Sequence, residues 1–171
     1  MNAGAHGRSI SEVLARIELF RLDEGDRSAI PAAEAGFSYR RSGLPHGAIV
    51  IGATVALGPG DPTQIRSVMD EARAWRRATQ PLAEPNCGSV FKNPPDDHAG
   101  RLIEAVGGKG TSVGGASVST KHANFIVAGP GANAEDVWRL IRSLQERVEQ
   151  RFGISLELEV QLVGDFDLAA I

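Results

Sequence analysis

The chain of 171 residues is 42% hydrophobic and 23% charged, a balance that suits one ordinary domain with a buried core plus a smaller appendage. A formal net charge of -3 offers no basic field to a nucleic-acid backbone, and no apolar run reaches the length of a membrane span. The single cysteine, Cys87, excludes an intramolecular disulfide and a cysteine zinc site; with the polar start Met1-Asn2-Ala3-Gly4 it leads to the expectation of a reducing, cytoplasmic setting.

In chain order, the first predicted element is a strand over Ser11 to Leu22, with Val13, Ala15, Ile17 and Leu19 on one side, closed by the turn Asp23-Glu24-Gly25-Asp26. The aromatic and basic stretch Phe37-Ser38-Tyr39-Arg40-Arg41-Ser42 follows, fenced by Gly36 and Gly43. β-Branched residues between Ile49 and Leu57 predict a second strand. Gly58-Pro59-Gly60 then marks the best internal boundary, dividing the chain into residues 1–58 and 59–171. Asp61 can cap a helix that opens on Pro62, ends before Pro81 and carries the apolar stripe Ile65, Val68, Met69, Ala72 and Trp75.

Prolines at 81, 85, 94 and 95 make Gln80 to Pro95 a loop or short extended segment that exposes Asn86 to Asn93. Ala99 to Val106 reads as a short helix with Leu102, Ile103 and Val106 inward, stopped by Gly107-Gly108. Ala123 to Ala128 reads as a buried strand. Asn133 can cap a long helix with Val137, Leu140, Ile141, Leu144 and Val148 on one face, ending at Gly153. The clearest predicted strand is the last, where Ile154, Leu156, Leu158, Val160 and Leu162 alternate with Ser155, Glu157, Glu159, Gln161 and Val163. This order argues for an α+β or α/β layer with helices covering one side of a sheet, and we take it as α+β.

Chemistry concentrates in Asn86-Cys87-Gly88-Ser89-Val90-Phe91-Lys92-Asn93-Pro94, which packs a hydroxyl, an ammonium and two amides into a proline-bounded stretch. Locally, Ser89 reads as a turn or capping hydroxyl and Lys92 as a solvated charge. Glu159 reads as one of two outward glutamates on an edge strand. Arg40 could pair with Glu34, and Tyr39 could fill a core. Asp96-Asp97-His98 superficially suggests a metal, yet three adjacent loop residues do not easily converge on one ion, so no metal is expected. His122 reads as a residue that orients or packs a strand.

Read together, several stretches resemble one family. Asn-x-Gly-Ser-x-Phe-Lys-Asn-Pro at 86–94 is similar to the signature of the MurB reductases, the UDP-N-acetylenolpyruvoylglucosamine reductases. Met1-Asn2-Ala3-Gly4-Ala5-His6-Gly7, Tyr39-Arg40-x-Ser42, Lys121-His122-Ala123-Asn124-Phe125 and Leu156-Glu157-Leu158-Glu159-Val160 match in the same order. The resemblance implies a reaction in which NADPH reduces FAD and hydride then passes to UDP-N-acetylglucosamine-enolpyruvate. By the family pattern Ser89 protonates the neighbouring carbon, while Arg40 and Glu159 stabilise the enol form of the substrate carboxylate. Glu159 fits that role only if it is protonated or shares a proton. Tyr39, Gln80, Lys92 and Asn93 are placed around the nucleotide-sugar pocket, and Asn2, Ala3, Gly4 and His6 beside the flavin. Leu158 stands where a proline is common and Gln161 where an arginine is common, so the final strand is expected to sit a little differently.

The resemblance also implies that the family's flavin domain begins well upstream of Met1. Residues 1–58 are then the end of an α+β FAD-binding domain, with two strands lacking their sheet partners, open edges and an exposed apolar face. Residues 59–171 are the substrate-binding domain. The expectation is that these 171 residues alone bind FAD weakly or not at all and lack reductase activity until joined by an N-terminal half. A second hypothesis, from a different class, is a non-enzymatic module that binds UDP-amino sugars or a partner. Neither nucleic acid nor membrane is expected as a partner.

Overall fold

The computed structural model describes residues 1–166. The chain forms two compact units, Met1–Asp61 and Pro62–Ile171.

In the first unit a short hairpin, β1 (Gly4–Ala5) and β2 (Arg8–Ser9), precedes a three-stranded antiparallel sheet of β3 (Leu14–Arg21), β4 (Asp26–Pro31) and β5 (Ala48–Val55) in the order β4-β3-β5. The predicted first strand is β3, shortened at its start because Ile10–Glu12 turns as a 3-10 helix. Its alternation places Ile17 and Leu19 in a small core with Ala35, against which Leu14, Ile30, Phe37 and Leu44 pack. β4 was not legible: Asp26-Arg27-Ser28-Ala29 carries little β propensity, and cross-strand pairing with β3 makes it a strand. β3 and β5 pair with each other along most of their length, so these strands do not lack partners, and the outer edges of β4 and β5 are open among the described residues. Ile49, Val50, Ile51 and Val55 of β5 stand exposed, the uncovered apolar surface that the sequence leads one to expect.

The second unit opens with α1 (Pro62–Thr79). Its bounds are those predicted, since Pro62 is pre-organised for the first helical position and Pro81 forbids continuation. Its apolar stripe is nevertheless exposed at Ile65, Val68, Met69 and Trp75. Helical spacing decides which residues share a face; whether that face is covered depends on a partner element.

The rest of the unit is a four-stranded antiparallel sheet packed on two helices. β6 (Asn86–Ser89), β7 (Ser112–Val113), β8 (Ala116–Val118) and β9 (Phe125–Ala128) run in the order β6-β9-β8-β7. α3 (Ala134–Phe152) lies against β7 and β8, and α2 (Ala99–Ala105) packs on α3. Asn133 caps α3 by accepting from the Asp136 amide at 2.9 Å, while the Asp136 carboxylate takes the Asn133 amide and also that of Gly115 at 3.1 Å. Gly153 ends the helix with a φ of 68°, a left-handed conformation that other residues adopt only with strain. Leu102, Ile103, Leu140, Ile141, Leu144, Val148 and Leu156 form the centre of the core, and the helices cover one side of an antiparallel sheet as an α+β fold.

Two expectations need correction. Asn86 to Asn93 is not an exposed loop throughout, because β6 pairs with β9 and Val90 and Phe91 are each only 1% exposed. The predicted last strand is an extended segment with one bridge, Leu158 to Phe91. Its period of two is right, since Leu156 is buried and Glu157 exposed. Its partner is the short stretch Val90 to Lys92, which soon runs into Pro94-Pro95, two consecutive residues without the N–H a ladder needs.

Candidate functional site

Ser89 is the last residue of β6 and lines a cleft of about 400 Å3 with Asn93, Lys109, Lys121, His122 and Asn124 on its other walls. Ser89 and Asn93 are the two predicted site residues among the described residues lining it. Asn93 accepts the amide of Ala99, the first residue of α2, at 3.1 Å through Oδ1. The cations of the cleft are partly committed: Lys109 pairs with Glu104 at 2.9 Å, and Lys121 donates to the Arg77 carbonyl at 2.5 Å.

Glu159 comes to the same neighbourhood by backbone pairing. Its amide donates to the Val90 carbonyl at 2.8 Å, so it is anchored one residue from Ser89 although the two are far apart in sequence. Lys92 sits beside this pairing. Its amide donates to the Glu157 carbonyl at 2.8 Å, and its ammonium, on a side chain 14% exposed, meets the Glu157 carboxylate at 2.5 Å. Lys92 therefore ties the segment carrying Glu159 to the segment carrying Ser89. Gln80 follows α1 and accepts from Arg76 Nε at 3.2 Å.

His122 packs edge-on against Phe125, and its Nδ1 accepts the Asn124 amide at 3.2 Å, which requires an unprotonated Nδ1. Burial, and then the nearby Lys109 ammonium, push its pKa below the ordinary imidazole value. The unfolded chain thus takes up this proton first as pH falls. The stabilising contribution of neutral His122 is fully present above the unfolded value of about 6.5 and is lost as pH drops from there through the lower folded value. An NMR titration is expected to place the His122 midpoint below that of an exposed histidine, and the urea midpoint should fall on acidification less steeply in His122→Phe. A midpoint at or above the ordinary value would contradict this account.

Asp97 holds no ion. Its carboxylate receives the Arg101 guanidinium, with Nε at 2.6 Å, and the His98 amide at 2.7 Å; these bonds, Arg101's first, hold its pKa down at about 2. Among the described residues no three histidine, cysteine or acidic side chains converge to hold a metal.

In the first unit Tyr39 and Arg40 are the central residues of a tight turn closed by Ser38 and Arg41, whose amides and carbonyls exchange hydrogen bonds of 3.2 Å. Arg40 has a φ of 54°, a conformation that costs a non-glycine residue about 1–3 kcal/mol. Its guanidinium donates to the Gly4 carbonyl at 3.1 Å and lies 5.0 Å from the centre of the Tyr39 ring, which is exposed rather than core filling. A side chain at Gly4 would come within 3.0 Å of that guanidinium and 2.9 Å of the Arg8 carbonyl, so glycine there is a seat for Arg40. Asn2 is buried, and both ends of its amide are used: Nδ2 donates to the Ser38 carbonyl at 3.4 Å and Oδ1 accepts the Ser11 amide at 3.1 Å. His6 lies with Gly7 at the tip of the β1-β2 hairpin. Ala3, Gly4, Ala5, Ile10 and Val13 line an open depression of about 590 Å3.

Sequence reasoning did not single out Asn124 or Glu157. For Asn124 a signal existed: an amide inside the apolar run Ala123 to Ala128 must find partners for both its ends if it is buried. Nothing local distinguishes Glu157 from other surface glutamates.

Residues 80–163 match the family model described as UDP-N-acetylenolpyruvoylglucosamine reductase, C-terminal domain. The UDP-N-acetylenolpyruvoylglucosamine reductase of Anaeromyxobacter dehalogenans (strain 2CP-C) is 50% identical over 97% of this chain and 50% of its own length. That of Myxococcus xanthus (strain DK1622) is 45% identical over 97% of this chain and 53% of its own. The chain spans about half the length of the curated relatives it matches. Among solved structures, the crystal structure of UDP-N-acetylenolpyruvylglucosamine reductase (MurB) from Thermus caldophilus aligns with a TM-score of 0.83 and 37% identity, covering 94% of this chain and 57% of that one.

Proposed function

The chain belongs, through residues 80–163, to the family of UDP-N-acetylenolpyruvoylglucosamine reductase C-terminal domains, and on that footing we propose that it is the substrate-binding and proton-donating part of such a reductase. The substrate is UDP-N-acetylglucosamine-enolpyruvate, and the product is UDP-N-acetylmuramate for peptidoglycan synthesis. The observation that carries this reading is Ser89 on the wall of a cleft, on a stretch hydrogen-bonded to the segment that bears Glu159.

FAD, reduced by NADPH, supplies hydride to the enolpyruvyl methylene carbon when bound. Ala3, Gly4 and Ala5, with Ile10 and Val13, fit one wall for a flat ring through backbone edges and apolar side chains. Asn2 serves that wall indirectly, by pinning the turn that carries Arg40. As the carbon-carbon double bond of the substrate is reduced, its electron pair moves toward the carboxylate. Ser89 gives its hydroxyl proton to the carbon beside the carboxylate and recovers one from water. A serine hydroxyl is a weak acid in bulk water, but a carbanion-like centre is a strong base, so a positioned hydroxyl suffices. Arg40 offers a fixed cation to the carboxylate as its charge grows, and the strain accepted at its φ fits a residue kept for its guanidinium. Glu159 supports the enol form of the substrate carboxylate, a role that requires its carboxyl to carry a proton when substrate is bound. Tyr39, Gln80, Lys92 and Asn93 belong to the surroundings of the nucleotide sugar, with Lys92 acting through Glu157. The free Cys87 thiol and a nucleotide-sugar substrate fit a cytoplasmic setting.

The test is reconstitution. The 171-residue polypeptide is expected to be colourless and inactive in NADPH oxidation, and mixing it with a separately produced N-terminal half of a half-identical relative should yield a yellow complex that oxidises NADPH only when the enolpyruvyl substrate is present. Calorimetry with UDP-N-acetylglucosamine separates the alternative. Binding heat together with no turnover in the reconstituted mixture would point to a sugar-binding module instead, and turnover by the 171 residues alone would overturn the division of labour proposed here.

A further inference from the structure

Ser89 opens a stretch whose backbone is held from both sides. On one side β6 pairs with β9 only as far as Ser89, opposite Phe125. Beyond that point a single residue, Asn124, takes over. Its carbonyl accepts the Val90 amide at 2.9 Å, its side-chain Oδ1 accepts the Phe91 amide at 2.9 Å, and its Nδ2 donates to the Phe91 carbonyl at 2.8 Å. The side-chain amide thus replaces a peptide unit and extends the ladder where the strand has ended. On the other side the Val90 carbonyl takes the Glu159 amide, and the Lys92 amide reaches Glu157. Asn124 is 4% exposed, and its own amide is held by His122.

We infer that Asn124 is a positioning residue: its side-chain amide fixes the Ser89–Lys92 backbone so that the Ser89 hydroxyl and the segment bearing Glu159 keep their mutual register. The inference rests on the reading of Ser89 as proton donor. Among side chains of this size only an amide both donates and accepts in the pattern of a peptide group, and a buried polar end without its partner is costly. Aspartate has the same shape and isolates that requirement. As a carboxylate it can accept the Phe91 amide but presents a second acceptor to the Phe91 carbonyl. Once protonated it again has one donor and one acceptor.

The experiment is Asn124→Asp, read by hydrogen exchange at the Phe91 amide against the core amides of α3, with the unmodified chain measured at each pH so that the titration of His122 is subtracted. At neutral pH the Phe91 protection factor is expected to fall about tenfold or more, the effect of one buried hydrogen bond, while the α3 amides change far less. Acidification should restore Phe91 protection in the variant as the carboxyl takes up its proton, a recovery that a general loss of packing does not produce. In the reconstituted reductase kcat should fall with KM little changed. Equal loss at Phe91 and α3, no loss at Phe91, or selective Phe91 opening with kcat unaltered each overturns the inference. If Asn124→Asp does not fold, the unmodified chain still decides: one Asn124 Nδ2 proton should exchange as slowly as the Phe91 amide, and two fast protons there refute the bond. Full activity in Ser89→Ala is a separate outcome, which removes the proposed proton donor and leaves the Phe91 measurements standing.

Discussion

Ser89→Ala is expected to lower kcat of the reconstituted reductase by about 10²–10⁴-fold, the usual contribution of a positioned proton donor. Each factor of ten corresponds to about 1.4 kcal/mol of barrier, so the hydroxyl is being asked for about 3–5.5 kcal/mol. The substitution removes one oxygen at the end of β6 and leaves the backbone pairing with Phe125 intact, so folding and cleft shape should survive. The proton is needed when charge has built up on the substrate and not when the substrate binds. KM is therefore expected to stay near its original value while kcat falls, which marks an interaction made only in the transition state. Reduction of the flavin by NADPH, followed by its loss of colour, should keep its rate. Ser89→Cys, which keeps a donor at the position, should retain more activity than the alanine variant. A kcat for Ser89→Ala within about twofold of the original would falsify the assignment, because no loss near tenfold could then be laid to the hydroxyl.

Phe91→Ala is expected to destabilise the second unit by about 3–5 kcal/mol, the range for deleting a large side chain from a packed core. Phe91 is among the largest fully buried side chains of the unit and bridges to Leu158 of the terminal segment. A domain has only about 5–15 kcal/mol of stability in all, so this one change removes a large part of it. The loss should appear as a lower urea midpoint and a lower melting temperature, with the slope of the urea transition retained if unfolding stays cooperative. Val163→Ala, at a position 88% exposed, should shift stability by less than about 0.5 kcal/mol and serves as control. A Phe91→Ala chain as stable as that control would show that the ring is not packed as described. The two predictions separate the site from its support: Ser89 is a chemical group on an intact frame, whereas Phe91 is part of the frame.

Several elements were legible because their signals are local. The bounds of α1 follow from Pro62 and Pro81, those of α3 from the Asn133 cap and Gly153, and β3 and β5 from alternation and β-branched residues. β4, β7 and β8 were not legible. Asp26–Pro31, Ser112–Val113 and Ala116–Val118 are too short or too polar to declare themselves, and they are strands because a neighbour offers them a ladder. The terminal segment shows the reverse: strong alternation without a strand, since its partner ends at Lys92.

For the candidate site, the ordered motifs around residues 1–7, 39–42, 86–94, 121–125 and 156–160 named Ser89, Arg40 and Glu159 without any coordinates. What the residues touch was beyond their reach. Hydrogen-bond partners such as Asn124 with Phe91, Lys92 with Glu157 and Arg40 with Gly4 join segments 33 to 65 positions apart, and no periodicity encodes such pairings. The sequence by itself determined helix ends and which residues share a face, because propensity, capping and spacing act over a few residues. Only the tertiary structure decided that the α1 stripe stays uncovered, that Val90 and Phe91 go inside, and that a buried amide finishes the strand beside Ser89. Those outcomes depend on which surfaces meet after the chain has folded, and the free energy of that meeting belongs to pairs of distant residues rather than to either member.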